Sequence, residues 1–288
     1  MEVDGKTKVC ALLGDPVEHT LSPLLHNSFG ESEKVNVVYT AFNVKKEGLE
    51  AALKGAFALG IRGFNVTVPH KESVIPFLSG MDPLAERIGA VNTLALTDKG
   101  YKGYNTDATG FMRSALGFED EIRDREVIMI GAGGAANAVL CGLYELGAKR
   151  VYILNRSAAK AEAKFGSDKR NVILPLEGFR DIPDNKYFCA QCTSVGLSPN
   201  DEAAPIEDED FYKKIGSAID IIYKPEETRF MRMVREKGGR AENGLPMLLC
   251  QAEESFRIYH GVTVGEEGIK EAKDRLYRKV YGNGKNST

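Results

Sequence analysis

The sequence predicts an α/β protein made of two α/β domains. Its 288 residues are about twice the usual length of one domain. Short β-rich runs alternate with helical patterns along most of the chain, and this alternation is typical of sheets covered by helices. A glycine cluster at residues 131–134 lies between a predicted strand and a predicted helix, at the start of a second alternating series. We therefore expect two packed units, each with its own core.

The first series of elements runs to about residue 107. Its clearest helix prediction covers residues 46–59, where apolar side chains recur at intervals of three and four positions. Another helix is predicted to begin with Ser22 as its N-cap. Residues 106–116 are predicted to form a connecting helix that either Thr106 or Asp107 caps. Strands are predicted at residues 9–13, 37–43, 63–68 and 90–96.

The second series of elements begins at residue 127. Its predicted strands cover residues 127–130, 150–154, 171–174, 187–191 and 217–222. After residue 243 the pattern becomes helical, with predicted helices at residues 245–259 and 265–281.

Composition excludes several classes of protein. Because 38 basic and 41 acidic side chains leave a net charge of -3, we expect neither nucleic acid nor a membrane as a partner. The uncharged stretch at residues 127–144 contains glycines that favour strand, turn and buried helix over a membrane span. The first 20 residues lack the features of a secretory signal. Five scattered cysteines indicate a reducing, cytoplasmic location, and Cys189 and Cys192 lack the second pair that a zinc site needs, so no metal is expected.

The glycine turn is the first candidate binding site. Glycines let the backbone approach a pyrophosphate, whose charge is then met by N–H groups at the start of the next helix. The following strand ends at Asn155 and Arg156, where an NAD-binding fold would place a carboxylate. Positive charge from Arg156 and Lys160 suits a 2′-phosphate instead and favours NADP. An ordinary tight turn and a solvated helix end remain the alternatives for these residues.

Polar side chains follow several strands of the first series. Thr20 and Ser22 offer hydroxyl groups to a substrate carboxylate, although a helix cap is the alternative role of Ser22. Asn65 and Thr67 share one face of their predicted strand. Lys71 follows a proline break at the strand end, where a lysine can exchange a proton with a substrate hydroxyl. The next two β-rich runs end in further small polar sets that include Asn92 and Asp107.

Taken together, these motifs resemble the shikimate dehydrogenase family along the whole chain. The residues that carry the resemblance lie at 14–27, 64–72, 89–94, 104–110, 131–138, 155–157, 192–196, 220–228 and 244–256. The resemblance implies a discontinuous substrate domain with an inserted NADP-binding Rossmann domain. It places residues 1–107 and 244–288 in the substrate domain and residues 108–243 in the Rossmann domain. It further implies NADPH-dependent reduction of 3-dehydroshikimate to shikimate, on the route to chorismate and the aromatic amino acids.

The resemblance also implies a role for individual residues. Lys71 corresponds to the family's catalytic lysine and Asp107 to its partner. Substrate contacts are implied for Thr20, Ser22, Asn65, Thr67, Lys71, Asn92, Asp107, Tyr223 and Gln251. Contacts with NADP(H) are implied for Gly131, Ala132, Gly133, Gly134, Ala135, Asn155, Arg156, Lys160, Thr193, Val195, Gly244 and Met247.

The sequence departs from the family pattern at two positions. Thr20 replaces the usual serine beside the carboxylate site, and Ala136 replaces a serine that many members carry in the glycine motif. Because quinate carries an extra hydroxyl next to its carboxylate, Thr20 leaves a broader quinate/shikimate dehydrogenase as the first alternative. A methylenetetrahydrofolate dehydrogenase is a more distant alternative, which Asn65, Lys71 and Asp107 in their motifs argue against. A catalytically silent NADP-binding sensor is another, which Lys71 and Asp107 argue against. The chain is expected to act on a small molecule as a monomer or homodimer.

Overall fold

The computed structural model describes residues 3–282 and divides the chain into two compact units. The first unit comprises residues up to Gly110 and residues from Leu249 onward, and the second comprises Phe111–Leu248. The last six residues of the predicted segment 244–288 lie outside the described residues. Both units are α/β, as the alternation of elements predicts.

The first unit contains a mixed six-stranded sheet in the order β2-β1-β3-β5-β6-β4. β1 pairs in parallel with β2 and β3, whereas β5 is antiparallel to both of its neighbours. Its elements up to the connecting helix are β1 Lys8–Gly14, α1 Ser22–Ser32, β2 Val37–Asn43, α2 Leu49–Ala58, β3 Gly63–Val66, α3 His70–Ser73, β4 Gly80–Met81, α4 Pro83–Ile88, β5 Thr93–Thr97, β6 Gly100–Tyr104 and α5 Thr106–Ser114. An apolar core that includes Leu13, Leu53 and Phe64 lies against this sheet.

The second unit contains a six-stranded parallel sheet in the order β12-β11-β10-β7-β8-β9, the strand order of a Rossmann fold. Its elements are α6 Glu119–Ile122, β7 Glu126–Ile130, α7 Ala136–Glu145, β8 Arg150–Leu154, α8 Ala158–Phe165, β9 Asn171–Leu174, β10 Tyr187–Gln191, α9 Glu209–Lys213, β11 Ile215–Asp220, α10 Arg229–Glu236 and β12 Arg240–Glu242. Alternate residues of β7 enter two different cores, with Val127 and Met129 in one and Ile128 and Ile130 in the other. Both faces of this sheet are therefore buried.

Two long helices end the described chain, α11 Leu245–His260 and α12 Glu266–Tyr281. α12 packs against α1 of the first unit, and Arg275 Nη1 lies 2.7 Å from Glu31 Oε2 at this contact. Four short 3-10 helices complete the structure, at Lys46–Gly48, Ile75–Phe77, Leu116–Phe118 and Leu176–Asp181.

Several predicted boundaries are wrong by a few residues. The predicted helix at residues 46–59 begins with a 3-10 turn, and the helix predicted at residues 106–116 ends at Ser114. The strand predicted at residues 90–96 starts only at Thr93, because the Val91 N–H donates to the Lys71 carbonyl outside the sheet. Strands β4 and β12 were not predicted, since two or three residues show no alternation.

Two predicted helix caps are also wrong. Leu21 occupies the N-cap position of α1, and Ser22 is the first residue of that helix. At α5, neither Thr106 nor Asp107 is the cap, because the Asn105 side chain accepts the hydrogen bond from the Ala108 N–H. Ser22 and Asp107 therefore do not serve as the caps that the sequence allowed.

Candidate active site

Lys71 and Asp107 form the central contact of the candidate site in the first unit. Lys71 Nζ lies 2.6 Å from Asp107 Oδ2, and the two side chains are 22% and 15% exposed. Lys71 belongs to α3 and Asp107 to the first turn of α5. A partly exposed ion pair of this kind keeps a protonated amine at a defined position while leaving it accessible to a ligand.

Asn92 holds the second oxygen of the Asp107 carboxylate. Its Nδ2 group donates to Asp107 Oδ1 at 2.8 Å and to Thr106 Oγ1 at 3.0 Å. Its Oδ1 atom accepts from the Thr106 N–H at 2.7 Å. Because both ends of the buried carboxamide are bonded, its orientation is fixed, and with it the direction in which Asp107 faces Lys71.

A buried cluster of hydroxyl groups supports this arrangement. Thr93, Thr106 and Ser255 place their hydroxyl oxygens 2.9 to 3.1 Å from one another. Asn65 Nδ2 donates to Ser255 at 3.0 Å, and its Oδ1 accepts from the Tyr39 hydroxyl at 2.7 Å. The network therefore connects β2, β3, β5, α5 and α11, and its hydrogen bonds fix the side chains of Asn65 and Asn92.

The structure also brings Thr20 and Ser22 together. Thr20 Oγ1 donates to Ser22 Oγ at 3.2 Å and accepts from the Ser22 N–H at 3.2 Å. Thr67 follows β3, and its N–H donates to the Leu13 carbonyl at the end of β1. Gln251 lies on α11 and is 9% exposed. The predicted substrate set in the first unit thus comes from the ends of neighbouring strands and from α11, as the rule for α/β sheets expects.

Sequence reasoning missed Tyr39, Thr93, Thr106 and Ser255 as supporting residues. One signal was available, because Ser255 follows Gln251 by four positions and so lies on the same face of a helix. Ser255 also donates to the Gln251 carbonyl at 2.9 Å. Tyr39 had no signal, since an alternating tyrosine in a strand is indistinguishable from a core residue.

The glycine turn in the second unit joins β7 to α7. Gly131 has φ 104°, a conformation that favours glycine, and a Cβ there would lie 2.7 Å from Thr193 Cγ2. Ala135 is the N-cap of α7 and provides no side-chain acceptor for the first-turn N–H groups. A Cβ at Gly134 would meet no atom within 4 Å, so the backbone there borders open space. These features fit the binding of a phosphate group.

Three basic side chains follow β8. Arg156 and Lys160 are exposed, and neither side chain bonds to another residue between positions 3 and 282. Asn155 Nδ2 donates to the Ser157 carbonyl at 2.8 Å and shapes the turn that carries Arg156. Lys164, which was not predicted, donates to the Gly133 carbonyl at 2.9 Å and the Ala132 carbonyl at 3.2 Å. Its ammonium group therefore adds positive charge at the glycine turn itself.

The other predicted cofactor and substrate residues of this unit lie at the ends of β10 and β11 or beyond β12. Thr193 and Val195 follow β10, and the Val195 N–H donates to Thr193 Oγ1 at 3.1 Å. The Gly244 N–H donates to the Ile222 carbonyl at 2.9 Å, and Met247 is buried in one of the two cores. Tyr223 is partly buried after β11, and burial raises the pKa of its hydroxyl. Tyr223 thus belongs to the second unit, whereas the other predicted substrate residues belong to the first.

Among residues 3–282, no group of three or more His, Cys, Asp or Glu side chains is placed to hold a metal ion. In the same part of the chain, no helix combines the length and the apolar character that crossing a membrane requires.

Comparison with family models gives two matches along the chain. Residues 12–94 match the shikimate dehydrogenase substrate binding domain. Residues 114–180 match the family described as shikimate / quinate 5-dehydrogenase.

Curated proteins and solved structures give concordant matches. The chain is 40% identical to a shikimate dehydrogenase (NADP(+)) of Caldanaerobacter subterraneus, over 98% of this chain and 99% of that protein. A protein of the same name from Moorella thermoacetica is 38% identical, with 98% and 96% covered. The crystal structure of a chorismate mutase/shikimate 5-dehydrogenase fusion protein from Clostridium acetobutylicum has a TM-score of 0.88 at 32% identity, covering 95% of this chain and 98% of that one. Shikimate 5-dehydrogenase from Thermus thermophilus, solved with NADP(H) and shikimate, has a TM-score of 0.81 at 34% identity, covering 93% and 99%.

Proposed function

The chain belongs to the shikimate dehydrogenase family, and from this premise we propose that it catalyses the reversible, NADPH-dependent reduction of 3-dehydroshikimate to shikimate. This reaction lies on the route to chorismate and the aromatic amino acids. The contact between Lys71 and Asp107, held by Asn92, carries the proposal, because it supplies a positioned proton donor within the unit that matches the substrate-binding domain. We assign residues 1–107 and 244–288 to substrate binding and residues 108–243 to cofactor binding.

Lys71 is the proposed general acid of the reduction. As the substrate carbonyl gains a hydride, negative charge develops on its oxygen, and the Lys71 ammonium donates a proton to that oxygen. Asp107 holds the ammonium group in place through Oδ2, while Asn92 prevents the carboxylate from rotating. In the reverse direction, neutral Lys71 accepts the proton from the shikimate hydroxyl.

Substrate binding is proposed for the polar residues around this pair. The hydroxyls of Thr20 and Ser22 would donate to the substrate carboxylate, with Tyr223 as a further donor. Ring hydroxyls would be bound by the amide and hydroxyl side chains of Asn65, Thr67, Asn92 and Gln251, together with Asp107. The buried hydroxyl cluster that includes Ser255 supports this role, because it fixes Asn65 and Asn92 before any ligand binds.

NADP(H) is the proposed cofactor, and when bound in its reduced form, NADPH, it would supply the hydride for the reduction. The glycine turn and the uncapped N–H groups of α7 suit its pyrophosphate, and the unpaired Arg156 and Lys160 suit its 2′-phosphate. The remaining assignments are Gly131, Ala132, Gly133, Gly134 and Ala135 at the pyrophosphate, Asn155 at the adenosine, and Thr193, Val195, Gly244 and Met247 near the ribose and nicotinamide.

Initial rates with shikimate and with quinate, each paired with NADP and with NAD in one purified preparation, test the proposal. Turnover with shikimate and NADP is the expected result. Comparable turnover of quinate would support the broader quinate/shikimate dehydrogenase that Thr20 keeps open. Absence of turnover with all four pairs, together with intact NADP binding, would support the silent sensor instead.

We expect a small-molecule enzyme of the cytoplasm that acts as a monomer or homodimer without nucleic acid. Light scattering of the purified chain, over a range of concentrations, measures the oligomeric state directly.

A further inference from the structure

The loop after β10 lies directly against the glycine turn. β10 pairs with β7 so that Gln191 is opposite Ile130, and the Cys192 N–H donates to the Ile130 carbonyl at 2.8 Å. A Cβ at Gly131 would lie 3.2 Å from the Cys192 carbonyl oxygen. The loop and the turn therefore share the carboxyl edge of the sheet at the point where its strand order reverses, which is where ligands bind in such folds.

The fully buried Gln191 side chain bonds to the backbone of this loop. Its Oε1 atom accepts a short hydrogen bond from the Thr193 N–H. Its Nε2 group lies 3.4 Å from the Thr193 carbonyl, 3.3 Å from the Val195 carbonyl and 3.2 Å from Asp220 Oδ1. One carboxamide thus meets backbone groups that the bend in the loop leaves without partners in the sheet.

Asp220 anchors the Gln191 amide and is itself fully buried at the end of β11. Its Oδ1 atom also accepts from the Ile222 N–H at 3.0 Å, and its Oδ2 accepts from the Thr228 hydroxyl at 2.7 Å. Thr228 in turn caps α10 by accepting from the Met231 N–H. The carboxylate therefore links the loop after β10 to the end of β11 and the start of α10.

A buried carboxylate surrounded by neutral donors is costly in a fold that could place an apolar residue there. Burial raises the pKa of Asp220 to about 7. Asp220 lies close enough to act electrostatically on Cys189 of β10, Cys192 of the loop and Tyr212 of α9, and burial raises the pKa of each above its ordinary value. These three groups are neutral at pH 7, whereas Asp220 titrates around neutrality.

We propose that Gln191 and Asp220 are positioning residues for NADP, and that they hold the Thr193–Val195 loop in the conformation that receives the cofactor. The inference rests on the proposed function for the identity of the cofactor. Without the network, the loop would occupy the binding conformation for only part of the time. If that fraction falls to about a tenth, the apparent dissociation constant for NADP rises about tenfold.

The variant Gln191→Glu tests the proposal with a change that preserves shape. The new carboxylate would face Asp220 Oδ1 and the carbonyls of Thr193 and Val195. It has no N–H group, so the hydrogen bonds that Gln191 Nε2 donates would be lost. We expect the Kd for NADP, measured by calorimetry without substrate, to rise about tenfold at pH 8. Binding should recover toward pH 6, because a proton shared by the two carboxyl groups restores one donor. The KM for shikimate at saturating NADP should change by less than about twofold.

The control is Asn185→Asp, which makes the same change of amide to carboxylate at an exposed position of the same unit. Circular dichroism and thermal unfolding show whether each variant is folded. If Gln191→Glu does not fold, NADP binding by the two variants Thr228→Val and Thr228→Ser tests the proposal instead. Thr228→Val removes the hydroxyl that bonds to Asp220 and should weaken NADP binding, whereas Thr228→Ser should restore it.

A folded Gln191→Glu variant that binds NADP like the wild type at both pH values would overturn the proposal. So would equal binding by the two Thr228 variants. Because binding is measured without substrate, a wild-type chain that binds NADP but turns over no shikimate would refute the proposed reaction while leaving this inference standing.

Discussion

Lys71 Nζ and Asp107 Oδ2 lie 2.6 Å apart although 36 positions separate them in the chain. Asn92 Nδ2 donates to the other oxygen of the Asp107 carboxylate at 2.8 Å. The pair is only partly exposed, so water screens it less than it screens a surface ion pair. A proton donor is thus positioned before substrate arrives.

Replacing Lys71 with alanine should remove the group that donates the proton in the reduction and accepts it in the oxidation. We expect kcat for shikimate oxidation to fall by about two to four orders of magnitude, with little change in the Kd for NADP. Steady-state kinetics and calorimetry measure the two effects separately. The control is Lys54→Ala, since Lys54 is exposed on α2 and should not affect either quantity. Activity of Lys71→Ala within a few fold of the wild type would contradict the assigned role.

Asp107→Asn keeps the shape of the side chain but removes its charge. The Lys71 ammonium then loses its anionic partner, so we expect kcat to fall by about ten- to a hundredfold in steady-state kinetics. Asp98→Asn, at an exposed turn between β5 and β6, is the matched control. A kcat within a few fold of the wild-type value would show that Asp107 is not needed to hold Lys71 in place.

Arg156 is predicted to distinguish NADP from NAD. Arg156→Ala should raise the KM for NADP about tenfold, the effect of one lost charge-assisted hydrogen bond, and leave the KM for NAD within about twofold. Arg232→Ala removes another exposed arginine, from α10, and serves as the control. Equal effects of Arg156→Ala on both cofactors would argue that Arg156 does not contact the 2′-phosphate.

Thr20 is predicted to influence the choice between shikimate and quinate. Thr20→Ser removes one methyl group and keeps the hydroxyl, so NADP binding should not change. We expect kcat/KM for quinate relative to shikimate to fall about three- to tenfold, the usual effect of one methyl group in a pocket. An unchanged ratio would place the determinant of specificity elsewhere.

His26 is predicted to make the protein sensitive to acid. It stacks on Tyr39 with ring centroids 4.2 Å apart, and burial lowers its pKa to about 3 from an ordinary value of 6.5. The unfolded chain binds a proton at His26 more readily than the folded chain does. The contribution of neutral His26 to the free energy of unfolding is therefore fully present above pH 6.5 and is lost as the pH falls toward 3.

Urea unfolding of His26→Phe at several pH values measures this effect. Between pH 6.5 and 4, the free energy of unfolding should fall less in the variant than in the wild type. The change in this free energy with pH should be smaller by up to roughly 1 kcal/mol per pH unit. The exposed His19 provides the control, and His19→Asn should keep the wild-type slope. Parallel slopes for His26→Phe and the wild type would contradict the prediction.

Much of the fold could be predicted because its signals are local. Alternation and helical spacing place most strands and the long helices within a few residues, and the glycine turn marks the start of the second series. Caps were less predictable, because Asn105, Thr106 and Asp107 are three adjacent residues that can all cap a helix. Only the hydrogen bond from the Ala108 N–H selects Asn105.

The sequence by itself determined the α/β class, the family and the residue types of the candidate site, since each depends on short motifs in a fixed order. The tertiary structure alone decided which of these residues meet. Ser255 reaches Thr93 and Thr106 across 162 and 149 positions, and Gln191 reaches Asp220 across 29. Such contacts depend on strand order and register, which side-chain periodicity does not encode. Most residues of the candidate site could therefore be predicted from the sequence, whereas their contacts depend on how the sheet and helices pack.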